Sequence, residues 1–413
     1  MSRALIVAYT NYVHDGRVKR HAEALAARGD SVDVICLDRV GQLNGVNIVG
    51  LDIPRYRGAS KSSYLSNYIR FFIKAAAIAT RRGIRQKYDV VIACTMPDAV
   101  VLCAVPLRLM GSRVVLDVHD TMPELYRDKF GGRRGALGAR LLMIEERVSA
   151  ALADRVLAVH EPHRQRLVQS GISPSKIHVV MNSPDSRIFG SCPRTNQPDG
   201  NFTVVCHGTL ARRLGLDVAI KAVAILKERI PRLRLRIVGE GDYRREAKNL
   251  VTALRLEQMV TFEDPVPIEQ LPALLAHAAV GLVPNRASSA THLMLPVKLM
   301  EYASLGIPSI AARLDTIERY FGEDAVRYFE PDNEASLAEA ILDLYGRPEL
   351  WRCLALRGRA VACQVSWPTQ RSHFYHAIDS LLGAPRVQGW EDSPGYRESP
   401  KSDHLQQNGH VSD

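Results

Sequence analysis

The sequence predicts an α/β protein built from two doubly wound, Rossmann-like parallel-sheet domains that face each other across a cleft. Three observations lead there. The chain has 413 residues, longer than one ordinary core and suited to two domains. Short, almost wholly apolar strand patterns alternate with helical ones, as expected of parallel sheets covered on both faces. That alternation also runs twice, on either side of a join rich in Pro, Gly and polar residues, SPDSRIFGSCPRTNQPDGN, at Ser183–Asn201.

The elements follow in order. ALIVAY (4–9) is the first strand and leads into a helix from about Gly16 to Arg28. VDVICL (32–37), YDVVIAC (88–94), RVVLDVH (113–119) and RVLAVH (155–160) continue the first set. The most apolar window, Val90–Met110, carries Pro97, Asp98, Pro106 and Arg108, so it reads as strand, loop and helix and not as a membrane span. FTVVCHG (202–208) opens the second set, and Ala219, Ala222, Val223 and Leu226 share one helical face. LRLRIVGEG (233–241), MVTFED (259–264), AAVGLVP (278–284) and IPSIAA (307–312) are its later strands. These patterns divide the chain into a first domain (1–185), a linker (186–201), a second domain (202–365) and a helix (366–384) near Trp367–Leu382. The last segment, 385–413, has no periodic apolar face and is expected to be disordered.

Composition narrows the setting. Hydrophobic residues make up 46% and charged residues 24%, as in soluble globular proteins. The seven cysteines (36, 94, 103, 192, 206, 353 and 363) are odd in number, scattered and without a C-x-x-C pair. That argues against disulfides and a zinc site and for the cytoplasm. Met1–Tyr9 runs straight into a strand pattern, so no signal peptide is expected. The net charge of +10 is concentrated in the first half, where residues 1–190 hold 28 Lys/Arg against 17 Asp/Glu. Its densest stretch, Arg55–Lys87, has nine basic residues and no acid. There Tyr64, Tyr68, Phe71, Ala75 and Ile78 share a helical face beside Arg and Lys, a pattern that fits peripheral binding to an anionic membrane surface. The same pattern fits a sheet-covering helix whose apolar face is core. Nucleic acid suits the charge, but no binding module for it is present.

The chemistry is densest at Leu293–Ile310, LMLPVKLMEYASLGIPSI. A helix opens at Pro296 and stops at Gly306, with Lys298 and Glu301 one turn apart. The free N–H groups of the helix N-terminus that opens at Pro296–Val297, Val297 being the first donor, and the positive dipole end suit a phosphate, and a carboxylate one turn deeper can accept from a ribose diol. Ligands in open α/β sheets sit beyond the C-terminal strand ends, so the residues following each strand are the other candidates. After the first strand come Asp15, Gly16 and Arg17 at a helix start, readable as a loop beneath donor or acceptor or as a plain N-cap. After RVVLDVH come His119, Asp120 and, in a first helical turn, Glu124. HGTLARRLGLD (207–217) is a strand, a Gly turn at Gly208 and a loop with Arg212 and Arg213, whose guanidinium groups suit phosphate oxygens. GEGD (239–242) puts Gly239 at a strand end but lacks the third Gly of a dinucleotide fingerprint.

In order and spacing these motifs resemble the retaining glycosyltransferases of family 4, which have the GT-B fold, over roughly residues 4–383. The resemblance implies that His119 contacts the transferred sugar and that Arg213, helped by Arg212, holds the diphosphate. Leu214 stands where a second basic residue is usual. It also implies that Glu301 is the ribose acid, and that the helix at Trp367 returns to the first domain. Many members carry two Glu eight apart; here the first falls on Leu293, giving the L-P-x-K-x-x-E-Y form. The loop after the first strand has Thr10-Asn11 where members often have a Gly pair. The activity implied is transfer of a sugar from a nucleoside diphosphate sugar, UDP- or GDP-linked, to an acceptor sugar or lipid-linked glycan in glycolipid or surface polysaccharide synthesis. His119, Arg213 and Lys298 would be catalytic. No D-x-D pair exists, which argues against a metal-bound diphosphate, and no cofactor is expected. A sugar-nucleotide epimerase of the same fold and a non-catalytic sugar-nucleotide or lipid-binding protein are the alternatives.

Overall fold

The computed structural model describes residues 1–38, 41–53, 61–190 and 200–383, with the side chains of 61–65 excepted. The first domain holds an eight-stranded sheet. Its strands are β1 (Arg3–Ala8), β2 (Ser31–Cys36), β3 (Gly41–Leu43), β4 (Val46–Gly50), β5 (Val90–Cys94), β6 (Arg113–Val118), β7 (Arg155–Ala158) and β8 (Ile177–Val179). Their spatial order is β3-β4-β2-β1-β5-β6-β7-β8, parallel throughout except for the β3–β4 pair. Helices α1 (Gly16–Ala27), α2 (Lys61–Arg85), α3 (Val105–Leu109), α4 (Met122–Phe130), α5 (Gly132–Leu152) and α6 (Glu161–Gln169) connect them. A short helix, α7 (Ser186–Phe189), lies in the segment expected to be linker, and its Phe189 is buried in the second domain's core.

The second sheet has six parallel strands in the order β11-β10-β9-β12-β13-β14. They are β9 (Phe202–His207), β10 (Leu233–Val238), β11 (Val260–Glu263), β12 (Val280–Val283), β13 (Ser309–Ala312) and β14 (Arg327–Phe329). The helices here are α8 (Leu216–Leu226), α9 (Arg244–Ala253), α10 (Leu271–Leu275), α11 (Ser289–His292), α12 (Val297–Ser304), α13 (Asp315–Tyr320), α14 (Glu334–Gly346) and α15 (Glu349–Gln364). Buried strands with burial on both faces explain why the sequence reads as continuous apolar runs, not alternation.

After α15 the chain returns. Phe374, Ala377 and Ile378 of α16 (Trp367–Leu382) are fully buried in the same cluster as Ala4, Ile6, Val32 and Val34 of the first sheet. Gln370 Oε1 accepts from Met181 N at 2.8 Å, and Phe374 stacks on His21 at 4.2 Å. The segment expected to be a disordered tail lies outside the described residues, as do 191–199 of the join.

Helix α2 corrects one expectation. Phe71 and Ala75 are fully buried against the sheet, Ile78 packs on the same core, and Tyr68 stacks on Tyr9 at 4.2 Å. The face read as a bilayer contact is therefore the core face. Periodicity reveals that a helix has an apolar face, not what covers it. Tyr64's side chain and residues 54–60 lie outside the described residues. No described helix is long and apolar enough to cross a membrane.

Candidate active site

In each sheet the central strand, β1 or β9, has neighbours that continue the chain in opposite directions across the sheet. A crevice opens beyond the strand ends at such a point. Both sets of strand ends face the same cleft. His119, Asp120 and His160 line it from the first domain, and Leu293, Pro296 and Val297 from the second.

Asp117, at the end of β6, organises the first wall. It is fully buried. Arg17 Nε donates to its Oδ2 at 3.0 Å and Arg17 Nη2 to its Oδ1 at 2.7 Å, while Arg17 Nη1 donates to Val180 O at 2.8 Å. His21 Nδ1 lies 3.2 Å and His119 Nε2 3.1 Å from Asp117 Oδ2. Burial alone would raise the Asp117 carboxyl, but the charges of Arg17 and His119 hold it well below the usual range. The reverse balance acts on His119: burial pulls it down, and Asp117's charge and hydrogen bond raise it above the ordinary value. His119 N also donates to Thr95 Oγ1 at 2.9 Å, fixing the backbone that carries the ring. Cys94, Asp117 and His119 bring donor atoms within 4.8 Å of one another, but the Arg17 guanidinium already occupies that acid.

One expected ligand contact is thereby corrected. Arg17 is 3% exposed and fully engaged inside the first domain, so it orders the wall and does not reach the cleft. Glu124 accepts from Arg166 Nε at 2.8 Å, and the same guanidinium pairs with buried Glu146. It is a partly buried first-turn acid of α4, paired within the first domain. Asp15 accepts from Val18 N at 3.1 Å, the N-cap geometry of α1, with Gly16 as the first helical residue. Asp120 lines the cleft; burial raises its carboxyl, while His119 and, from the second domain, Arg213 pull it back.

The second wall is built on β9 and α12. Pro296 caps α12 and leaves the N–H groups of Val297 and Lys298 at its first turn. Lys298 Nζ is 3.9 Å from Cys206 Sγ. Glu301, 8% exposed, accepts from His207 Nε2 at 2.7 Å. His207 Nδ1 is 2.8 Å from the Tyr302 hydroxyl, which lies 3.1 Å from Val205 O. His207 thus holds Glu301, a role not read from the sequence although the residue ends a strand feeding the cleft. Arg20 was also missed. It is buried, donates at 2.7 Å to Oδ1 of Asn182, which lines the cleft, and feels Glu301. Burial, with Arg17 nearby, pushes it down to about 10.

Arg213 is exposed and meets Asp120 electrostatically across the cleft, whereas Arg212 forms a loose pair with Glu246 at 3.7 Å. Leu214 is buried, so the departure from a second basic residue fills core space. Leu293 faces His160, which makes a backbone hydrogen bond with it. At the strand ends, a Cβ on Gly239 would lie 1.9 Å from Gly208 O, and Gly239 has φ +144°. We expect Gly239→Ala to lower stability by about 1–3 kcal/mol, read as a fall in the denaturation midpoint.

Burial pushes His21 and His160 down to about 4, so both are neutral in the fold at neutral pH. Unfolded histidine titrates near ~6.5, so the stability these rings contribute is present above that pH and lost as pH falls toward about 4. Raised carboxyls such as Asp98 and Glu146 act with the opposite sign. The diagnostic is therefore a difference. His21→Phe should lose less unfolding free energy than wild type between pH 6.5 and 4, by on the order of 3 kcal/mol at most.

Residues 17–186 match the family described as Glycosyltransferase Family 4, and residues 201–347 match Glycosyl transferases group 1. The chain is similar to a GDP-mannose-dependent alpha-(1-6)-phosphatidylinositol monomannoside mannosyltransferase of Mycolicibacterium smegmatis. The two are 34% identical over 112 residues, covering 27% of this chain and 29% of that one. It is also similar to the amylovoran biosynthesis glycosyltransferase AmsK of Erwinia amylovora, 25% identical over 45% of this chain and 46% of that one. The matches span less than half the length of these curated relatives. Among solved structures, a sucrose-phosphate synthase from Thermosynechococcus elongatus superposes with TM-score 0.76 at 18% identity, covering 93% of this chain and all (100%) of that one. Anabaena Alr3699/HepE in complex with UDP-glucose superposes with TM-score 0.70 at 17% identity, covering 92% and 100%. The fold is GT-B.

Proposed function

For a chain that is a family 4-like glycosyltransferase of GT-B fold, we propose transfer of a sugar from a nucleoside diphosphate sugar to an acceptor hydroxyl, with retention of anomeric configuration. One observation carries this reading. Pro296 and Val297 at the first turn of α12 line the cleft from one domain, Lys298 stands on the same turn, Glu301 lies one turn deeper, and His119 and Asp120 line it from the other. That order matches a diphosphate, a ribose and a hexose laid along the cleft.

Each group then has a task. The α12 N–H groups and Lys298 stabilise the diphosphate as negative charge develops on it, helped by Arg213 on the loop after β9 of the same domain. Glu301, held by His207, accepts from the ribose diol. His119, held by Asp117, donates to a sugar hydroxyl or to the departing phosphate. In this reading the acceptor attacks from the leaving-group side and its proton passes to a phosphate oxygen, so no pair of catalytic carboxylates is required. Closure of the domains on the donor excludes water from the reacting centre.

The donor classes considered are UDP- and GDP-linked sugars. A UDP-glucose complex in one structural neighbour and the GDP-mannose named for one relative support them. Relatives named for amylovoran biosynthesis and for mannosyl transfer to phosphatidylinositol monomannoside support an acceptor that is a growing surface glycan or a lipid-linked one. The test is transfer of labelled sugar from each donor into a lipid extract and into oligosaccharide acceptors. An acceptor-dependent labelled product is expected. Conversion of the donor sugar without acceptor would favour an epimerase, and binding without turnover a non-catalytic protein.

A further inference from the structure

The first domain grips a short helix of the second at both ends. That helix, α11, is four residues long. At its start, Asp128 of α4 accepts from Ser289 Oγ at 2.8 Å and from Ala290 N at 2.9 Å. At its end, Leu293 N and Met294 N close the last turn by donating to Ala290 O at 3.2 Å and Thr291 O at 3.1 Å. There the ring of His160, from the first domain, is hydrogen-bonded to the Leu293 backbone. Pro296, just beyond, caps α12, so the gripped helix leads straight into the turn assigned to the diphosphate.

The His160 ring can serve both domains because its nitrogens are divided between them. His160 is the N-cap of α6, and its Nδ1 accepts from His163 N at 3.1 Å. Nδ1 therefore carries no proton. The ring is 3% exposed and burial keeps it neutral, so its one proton sits on Nε2. Nε2 is thus the donor, and the acceptor is the Leu293 carbonyl oxygen. A second contact braces the first. Glu161 N, next along α6, donates to the Tyr320 hydroxyl of α13 at 3.1 Å. Helix α13 is tied in turn to the end of α11, because Thr316 Oγ1 donates to His292 O at 2.7 Å. His160, Leu293 and Pro296 all line the cleft.

An N-cap needs only the Nδ1 bond, which a Ser or Asp oxygen supplies equally well, so capping alone does not require an imidazole. We propose that His160 is a positioning residue for the phosphate site. Its Nε2–H, given to Leu293 O, fixes the chain between α11 and α12 and so sets the α12 N-terminus and Lys298 against the cleft. This role rests on the diphosphate reading of α12. In it His160 acts through the backbone and contacts no reacting atom.

The test is calorimetric titration of the full chain with UDP, GDP, ADP and dTDP. Wild type, His160→Asn and His160→Gln are compared, each also melted without ligand. Asn places an acceptor where Nδ1 stands and keeps the cap, but it is too short to reach Leu293. It should melt close to wild type and bind the preferred nucleotide about three- to tenfold more weakly, the worth of one hydrogen bond. Gln places an amide N–H where Nε2 stands. It should melt lower, for want of the cap, yet recover most of the affinity. A role confined to capping predicts the reverse, with Asn normal in both measurements and Gln impaired in both. Asn binding as tightly as wild type would overturn the proposal, as would Gln binding no better than Asn; either leaves the diphosphate reading standing. Wild type that binds none of the four nucleotides would strike that reading, and the proposal with it.

Discussion

Arg17→Ala should lower the stability of the first domain by about 3–5 kcal/mol, read as a fall in the urea midpoint, because it removes one partner of a buried ion pair. Asp117 is fully buried and takes both Arg17 Nε and Nη2. Without the guanidinium, its charge faces only the neutral ring of His21 and the single ring of His119. Val180 O would also lose its 2.8 Å donor. Arg17→Lys should recover only part of the loss, since a point charge cannot fork onto two oxygens. A change within ~0.5 kcal/mol, the range of ordinary surface substitutions, would mean that the network carries little of the fold.

The second large effect is on turnover. Lys298→Ala should reduce kcat by about 10²–10³, the usual consequence of deleting one group that stabilises developing charge. Its ammonium stands on the first turn of α12, partly buried beside Cys206, so truncation removes charge without stranding a partner acid. The melting temperature should change little. Lys298→Arg should restore a fraction of the rate, because the planar fork fits the space of a compact ammonium poorly. Equal loss of kcat and kcat/KM would identify an interaction made in the transition state, whereas a rise in KM alone would reduce Lys298 to ground-state binding.

The long strands and the two-sheet plan were legible because a strand buried on both faces must be an unbroken apolar run. The strands that escaped are short or polar. Gly41–Leu43, Ile177–Val179 and Arg327–Phe329 are three residues each, too brief for any period, and Val46–Gly50 alternates with Asn47 exposed. Lys298 and Glu301 could be placed on one helix from the sequence because a Pro start and a Gly stop frame it. His207 and Asp117 could not be read, because their roles arise from partners 94 and 100 residues away, Glu301 and Arg17. Distance along the chain likewise hid the partners of Arg17 and Glu124, which are Asp117 and Arg166, 100 and 42 residues away. Each stands at a helix start beyond a strand end, where ligand contacts occur, yet each is taken by a partner that local sequence does not show. Helix α2 failed for a related reason: its apolar period is real, but two apolar surfaces are present, and only packing tells which one is covered.

The most direct test of the cleft is a thermal-shift titration of wild type, Lys298→Ala, Glu301→Gln and His207→Ala with UDP, GDP, ADP, dTDP and their common sugar conjugates. One nucleotide should stabilise wild type, by about 2.7 kcal/mol at ~100 times its dissociation constant. The three variants should lose most of that response while melting as cooperatively as wild type without ligand. A well-folded wild type that responds to none of these nucleotides would contradict a nucleotide-sugar cleft between the two domains.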